Sequence, residues 1–109
     1  MEQTKLYHST IYRADSPKGD CSLEYPCDSL EELRDMIARS EAKAQKQGYP
    51  PQEWLIVQQK TNTIYKDGRF RSRSTKEEVI AVYGTDGIVR FEDGTEWAAV
   101  KIEANTQNL

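Results

Sequence analysis

Histidine is nearly missing from this chain of 109 residues: His8 is alone, and cysteine occurs only as Cys21 and Cys27. The cysteine spacing is not the C-x-x-C of redox and zinc sites, and too few soft ligands remain for a tetrahedral metal centre. No metal is therefore expected, and the two cysteines read as reduced thiols flanking a strand. Pairing His8 with either cysteine as a thiolate catalyst has no local signature behind it, so an enzyme is not expected. Glycine falls only where the chain turns, at Gly19, Gly48, Gly68, Gly84, Gly87 and Gly94. None opens a phosphate-binding loop ahead of a helix, and no cofactor is expected. No apolar run approaches the ~20 residues that cross a bilayer. The first residues lack the positive start and apolar core of a secretory signal. The expectation is a cytoplasmic protein with no membrane partner. Repeats, low-complexity tracts and linkers are also missing, and the length suits one domain, 1–109, with a polar stretch at 103–109 expected to fray.

What is present is charge and β-forming residues. Charged side chains make up 30% of the chain against 37% hydrophobic, with mean hydropathy −0.82, which implies a thin core. The net charge of −3 conceals segregation. Within 60–76, Lys60, Lys66, Arg69, Arg71, Arg73 and Lys76 oppose only Asp67, whereas acids dominate 77–109.

The stretch 54–84 organises the rest. Asp67-Gly68 lies between two β-rich runs, the signature of a type I′ hairpin turn with positive φ at both central residues. Uninterrupted pairing from that turn predicts Tyr65 opposite Phe70, Ile56 opposite Val79 and Trp54 opposite Ala81. The base of this hairpin is apolar and its outer half wet, so the base must be built into a larger sheet.

Before the hairpin, residues 4–13 read as a strand, 15–20 as a turn, and Cys21 to Tyr25 as a return strand. In that return strand Cys21, Leu23 and Tyr25 point inward, and Pro26 ends it. Ser29 and Glu32 form an S-x-x-E capping box ahead of a helix. Leu30, Leu33, Ile37 and Ala44 make its apolar stripe, with Met36 at the border. Acids crowd its first turns, Lys43 and Lys46 its end, and Gly48 with Pro50-Pro51 stops it. The segment 75–83 has a competing helix-cap pattern at Thr75 and Glu78, but its β-branched content favours strand. Ile88 to Phe91 and 95–102, separated by Asp93-Gly94, complete the sheet, with Trp97, Ala98, Ala99, Val100 and Ile102 in the last strand. The predicted fold is α+β: an antiparallel sheet of about six strands in the order β-β-α-β-β-β-β, one amphipathic helix packed on one face.

Arg69, Arg71 and Arg73 give the clearest functional signal. In a regular strand they project from one face at alternate positions, matching the spacing of phosphates along an extended backbone. Their planar forks suit phosphate or carboxylate. Lys60 lies in the same ribbon, and Tyr65 with Phe70 is placed to stack a base or a partner side chain. The bland alternative is a ribbon whose charge guards its edge against aggregation, with an aromatic pair that stabilises the turn.

Tyr12-Arg13-Ala14-Asp15-Ser16-Pro17-Lys18-Gly19 and Glu53-Trp54-Leu55-Ile56-Val57 resemble segments of small accessory proteins from phages and prophages of Gram-positive bacteria. Compact size and mixed charge are similar to the anti-defence proteins of that pool, the anti-CRISPR proteins and the Thoeris sponges. That resemblance implies a non-enzymatic inhibitor that binds a host defence protein or ribonucleoprotein in the infected bacterium. The alternatives are a sponge holding a cyclic nucleotide between protomers, and a virion structural or assembly protein. The wet-tipped ribbon and ten aromatic residues also imply a homo-oligomer.

Overall fold

The computed structural model describes residues 3–19 and 22–97, the side chains of 23–25 excepted. The element order is β1 (Thr4–Asp15), β2 (Ser22–Cys27), α1 (Leu30–Lys46), β3 (Trp54–Lys66), β4 (Arg69–Tyr83), β5 (Val89–Phe91) and β6 (Glu96–Trp97). All six strands form one antiparallel sheet in the order β2-β1-β3-β4-β5-β6. The α+β architecture read from the sequence is the architecture found, and 75–83 is strand throughout.

Local chemistry explains the helix. Ser29 is extended and its hydroxyl accepts the Glu32 N–H at 3.1 Å, satisfying one of the donors left free at a helix start. At the other end Gly48 has φ 89°. Its N–H reaches the Gln45 carbonyl and that of Tyr49 the Ala44 carbonyl, both at 3.0 Å, a Schellman closure. Leu33, Ile37 and Ala38 are buried, and beyond Ala38 the helix has no fully buried side chain among its described residues, as the narrowing of its stripe to alanine implies.

The core lies where α1 covers the base of the sheet. Leu33 and Ile37 meet Ala14, Ile56, Trp54, Ala81, Tyr83 and Val89. These strand residues share one side of the sheet, here called the helix face, because cross-strand partners point the same way. The Glu41 carboxylate fastens the chain after α1 by accepting the Gln52 N–H at 2.8 Å and the Trp54 indole N–H at 3.3 Å.

Beyond the helix, β1, β3 and β4 continue as a three-stranded ribbon. It stretches the molecule to 61 × 36 × 29 Å with a radius of gyration of 17.7 Å, whereas a compact chain of this size has about 13 Å. Where ribbon and base meet, Arg13 ties three strands together through Asp15, Gln59 and Glu77. These contacts lie on the opposite side of the sheet, the open face.

The register departs from uninterrupted pairing. Lys66 faces Arg69 and Tyr65 faces Phe70 as expected, but Ile64 faces Ser72, leaving Arg71 as an extra residue. A second slip leaves Ile80 extra, so that Val57 faces Val79, Ile56 faces Ala81 and Trp54 faces Tyr83. The predicted partners of Ile56 and Trp54 are therefore each displaced by two residues. Such bulges relieve a long strand that must twist strongly. A further correction concerns Pro26, which does not end its strand: β2 runs on to Cys27, tolerated because β2 is at the sheet's edge, where a missing N–H breaks no ladder. The expectations for Cys21, for the inward side chains of Leu23 and Tyr25, for 98–102 and for the tail at 103–109 lie outside the described residues.

Candidate binding site at the ribbon tip

The tip is built by a turn that only certain residues can make. Asp67 has φ 52° and Gly68 φ 77°, the double positive φ of a type I′ turn. The end of β1 is clamped to it: Asp67 donates its N–H to the Gln3 carbonyl at 2.8 Å, and its carboxylate accepts the Gln3 N–H at 2.9 Å. Three strands therefore end together, and their alternation decides which side chains meet.

Lys5 pairs with Tyr65 and Tyr7 with Thr63; Tyr65 pairs with Phe70 and Thr63 with Arg73. All these residues lie on the open face. Tyr7 meets Tyr65 edge-on at 5.5 Å between centroids, and Tyr65 meets Phe70 in the same manner at 6.1 Å. The Arg73 guanidinium rests 5.7 Å from the Phe70 ring centroid and donates to the Thr63 hydroxyl at 3.3 Å. Tyr7 is 53% exposed and Phe70 55%, so the rings form a platform in solvent rather than part of a core. Beside them a shallow depression of 550 Å³ is lined by Gln3, Lys5, Tyr7, Thr63, Tyr65 and Gly68.

The three arginines do not form a comb. The bulge at Arg71 breaks the alternation, so Arg69 shares the helix-face side with Lys66 while Arg73 lies with Phe70 on the open face. Lys60 is also on the helix-face side, where it faces Thr10 on one strand and Lys76 on the other. Of the six residues singled out by sequence, Tyr65, Phe70 and Arg73 converge; Arg69, Arg71 and Lys60 do not join them. Tyr7 and Lys5 complete the cluster, and nothing local in the sequence marks them. Only the pairing of β1 with β3 brings them there.

Elsewhere polar groups are engaged with one another. Asp86 accepts two bonds from Arg90, at 2.7 and 3.2 Å, and one from the Ile88 N–H at 3.0 Å. The Arg90 contact above all, then the Ile88 N–H, hold its carboxyl down to about 2. Arg90 also reaches Glu96, so part of the acidic C-terminal charge is neutralised internally. Cys27 is buried, and burial, then Glu32 and Asp28, push its thiol above the ordinary value, which makes it a poor nucleophile. The single histidine bonds through Nδ1 to the Asn62 side chain. Among the described residues no three His, Cys, Asp or Glu side chains gather as a metal site, and no helix is long and apolar enough to cross a membrane. A larger cleft of 770 Å³ between the end of α1 and the β1–β2 turn includes Glu41, Tyr49 and Trp54; there the Glu41 carboxylate is already occupied by Gln52 and Trp54.

No protein-family model matches the chain, and no curated protein or solved structure is detectably similar to it.

Proposed function

We propose that this is a non-enzymatic binding protein that uses the open face of its ribbon tip to grip a phosphate-bearing, base-bearing partner. In line with the anti-defence resemblance, that partner is the nucleic-acid portion of a bacterial defence effector, and binding inhibits it. One observation carries the reading: Tyr7 and Phe70 stand more than half exposed on either side of the half-buried Tyr65, with Arg73 and Lys5 at the margins of the platform, far from the core they would otherwise serve. Rings in solvent offer flat faces to bases, with stacking worth about 1–3 kcal/mol per base. Adjoining cations neutralise phosphate and make binding fall with salt. Arg69 and Lys60, on the other side, add charge to the approach rather than contacts to the platform.

The test is fluorescence anisotropy with a labelled single-stranded oligonucleotide, repeated across salt concentrations. Tyr7→Ala with Phe70→Ala should abolish binding, and Arg73→Gln should weaken it more than Arg69→Gln. Arg73→Lys should restore it only in part, since the planar fork is lost. Equal effects of Arg69→Gln and Arg73→Gln, or binding that survives loss of both rings, would return the tip to a solubilising role.

A second reading is favoured by the depression beside Tyr65: a sponge for a cyclic nucleotide, with a base on the rings and phosphates toward Lys5. A thermal-shift panel of cyclic dinucleotides separates the two, because a ligand present at 100 times its Kd adds about 2.7 kcal/mol of stability.

A further inference from the structure

We propose that the outer edge of β1 is a pairing surface for a second copy of this chain, joining two ribbons into one continuous sheet around Tyr7. The two open edges of the ribbon differ. Along β4 the edge carries bulges at Arg71 and Ile80 and a run of charge, Arg71, Arg73, Lys76, Glu77 and Glu78, devices that discourage strand addition. Along β1 the pairing with β3 is unbroken from Thr4 to Asp15. From Thr4 to Ile11 there is no proline and only Lys5 is charged. Among the described residues β2 covers this edge only at Tyr12, Ala14 and Asp15, and Leu6 and Tyr7 stand more than half exposed.

The direction of the free groups follows from the clamp at the tip. The Asp67 N–H bonds the Gln3 carbonyl, so alternate residues from Gln3 onward direct their N–H and C=O toward β3. Thr4, Leu6, His8 and Thr10 therefore present theirs to the side that no described strand covers. An antiparallel copy related by a two-fold axis beside Tyr7 sets Thr4 against Thr10, Lys5 against Ser9, Leu6 against His8, and Tyr7 against its own counterpart. Every outward group from Thr4 to Thr10 is then satisfied and no like charges oppose. Sliding the copy one step further would set Thr4 against Tyr12, whose place is already held by Cys27, and would oppose His8 to itself. β2 thus acts as a stop that selects the register. The axis is perpendicular to the sheet, so both open faces lie on one side. The Tyr7, Tyr65 and Phe70 rings of the two copies then adjoin in a single strip. This inference does not depend on what the platform binds.

Light scattering at tens of micromolar tests it, with an expected mass twice the 12.5 kDa of one chain. Leu6→Pro deletes an outward N–H without touching the β3 ladder and should return the mass to that of the monomer, with circular dichroism unchanged. Thr75→Pro, placed in the same way on the β4 edge, should leave the doubled mass intact. Independently of any folding defect, Tyr7→Cys should form an interchain disulfide on mild oxidation. Directly opposed residues of a non-hydrogen-bonded pair have Cα atoms about 4.5 Å apart, within disulfide reach, whereas Tyr65→Cys on the inner strand should not cross-link. A monomeric mass for the unaltered chain, or a doubled mass that survives Leu6→Pro, overturns the proposal.

Discussion

The two ends of β3 belong to one strand and live in different solvents. At the base, Trp54, Ile56 and Val57 are buried and a helix seals the side that Trp54 and Ile56 face. At the tip, no helix covers the same strand, Thr63 alone is buried and Ile64 and Tyr65 are half-buried, and its neighbours hold by backbone ladders, one turn and edge-on rings. The base shows what hydrophobic burial secures: each fully buried aliphatic contributes about 1.5–3 kcal/mol. The tip shows how far a sheet extends once such a base exists, since hydrogen bonds add only about 1 kcal/mol apiece net of water. Stability is thus concentrated at one end and exposed chemistry at the other.

Substitution at the base should break this contrast most severely. Ile37→Ala removes a side chain with 0% exposure from the centre of the helix–sheet contact and should cost about 2–5 kcal/mol. Urea titration followed by circular dichroism measures the loss, and a cost below about 1 kcal/mol would mean that α1 does not seal the core as described.

At the tip the largest effect should come from backbone geometry rather than burial. Gly68→Val forces a β-branched residue into φ 77° and should cost about 1–2 kcal/mol. Hydrogen exchange should show lost protection of the turn while amides in α1 keep theirs. Unchanged protection at the turn would remove the type I′ geometry. Phe70→Ala should cost less, about 0.5–1.5 kcal/mol for one edge-on contact, and its main consequence should be on binding.

The helix, its caps and the Asp67-Gly68 turn were legible because each rests on neighbours within a few residues: Ser29 with Glu32, Gly48 with Pro50-Pro51, Asp67 with Gly68. The aromatic platform was half legible. Tyr65 and Phe70 are joined by the local turn, but Tyr7 arrives from far away in sequence, and no pattern in 4–13 specifies which residue of β3 it will face. The bulges at Arg71 and Ile80 were not legible at all. Neither position is a glycine or proline, and the slip answers to the twist of a long ribbon rather than to the residue that absorbs it. The arginine comb failed for that reason.

The smallest expected effect returns to the base. The Asp86 carboxyl, held down to about 2 by Arg90 and the Ile88 N–H, lies below its ordinary value of 3.8. Its contribution is therefore present above that ordinary value and is lost as pH falls through about 2. The group is exposed, so the global melt should hardly register it. Carbon-13 detection of the Asp86 carboxyl should show the low midpoint, and Arg90→Gln should move it up toward the ordinary range. A midpoint near 3.8 in the unaltered chain would dissolve the pair.

The two slips in β4 have a consequence for how the hairpin tolerates change in length. One extra residue inverts the phase of everything that follows, and a second restores it. The turn and the core are therefore in phase with each other, and only the stretch from Ser72 to Val79 shows the opposite set of side chains to each side. A strand of this kind has even parity. Deleting Arg71 alone would remove the bulge and leave every other pair as it stands, with Phe70 still facing Tyr65 and Ser72 still facing Ile64. Deleting Ile80 would do the same at the base, where Val79 and Ala81 already face Val57 and Ile56, whereas deleting a paired residue between the slips, such as Thr75, would throw one end out of step with the other. Single deletions along β4 should thus be accommodated at Arg71 and Ile80 and resisted between them, and the side of the ribbon that carries Arg73 is set by where the first slip falls.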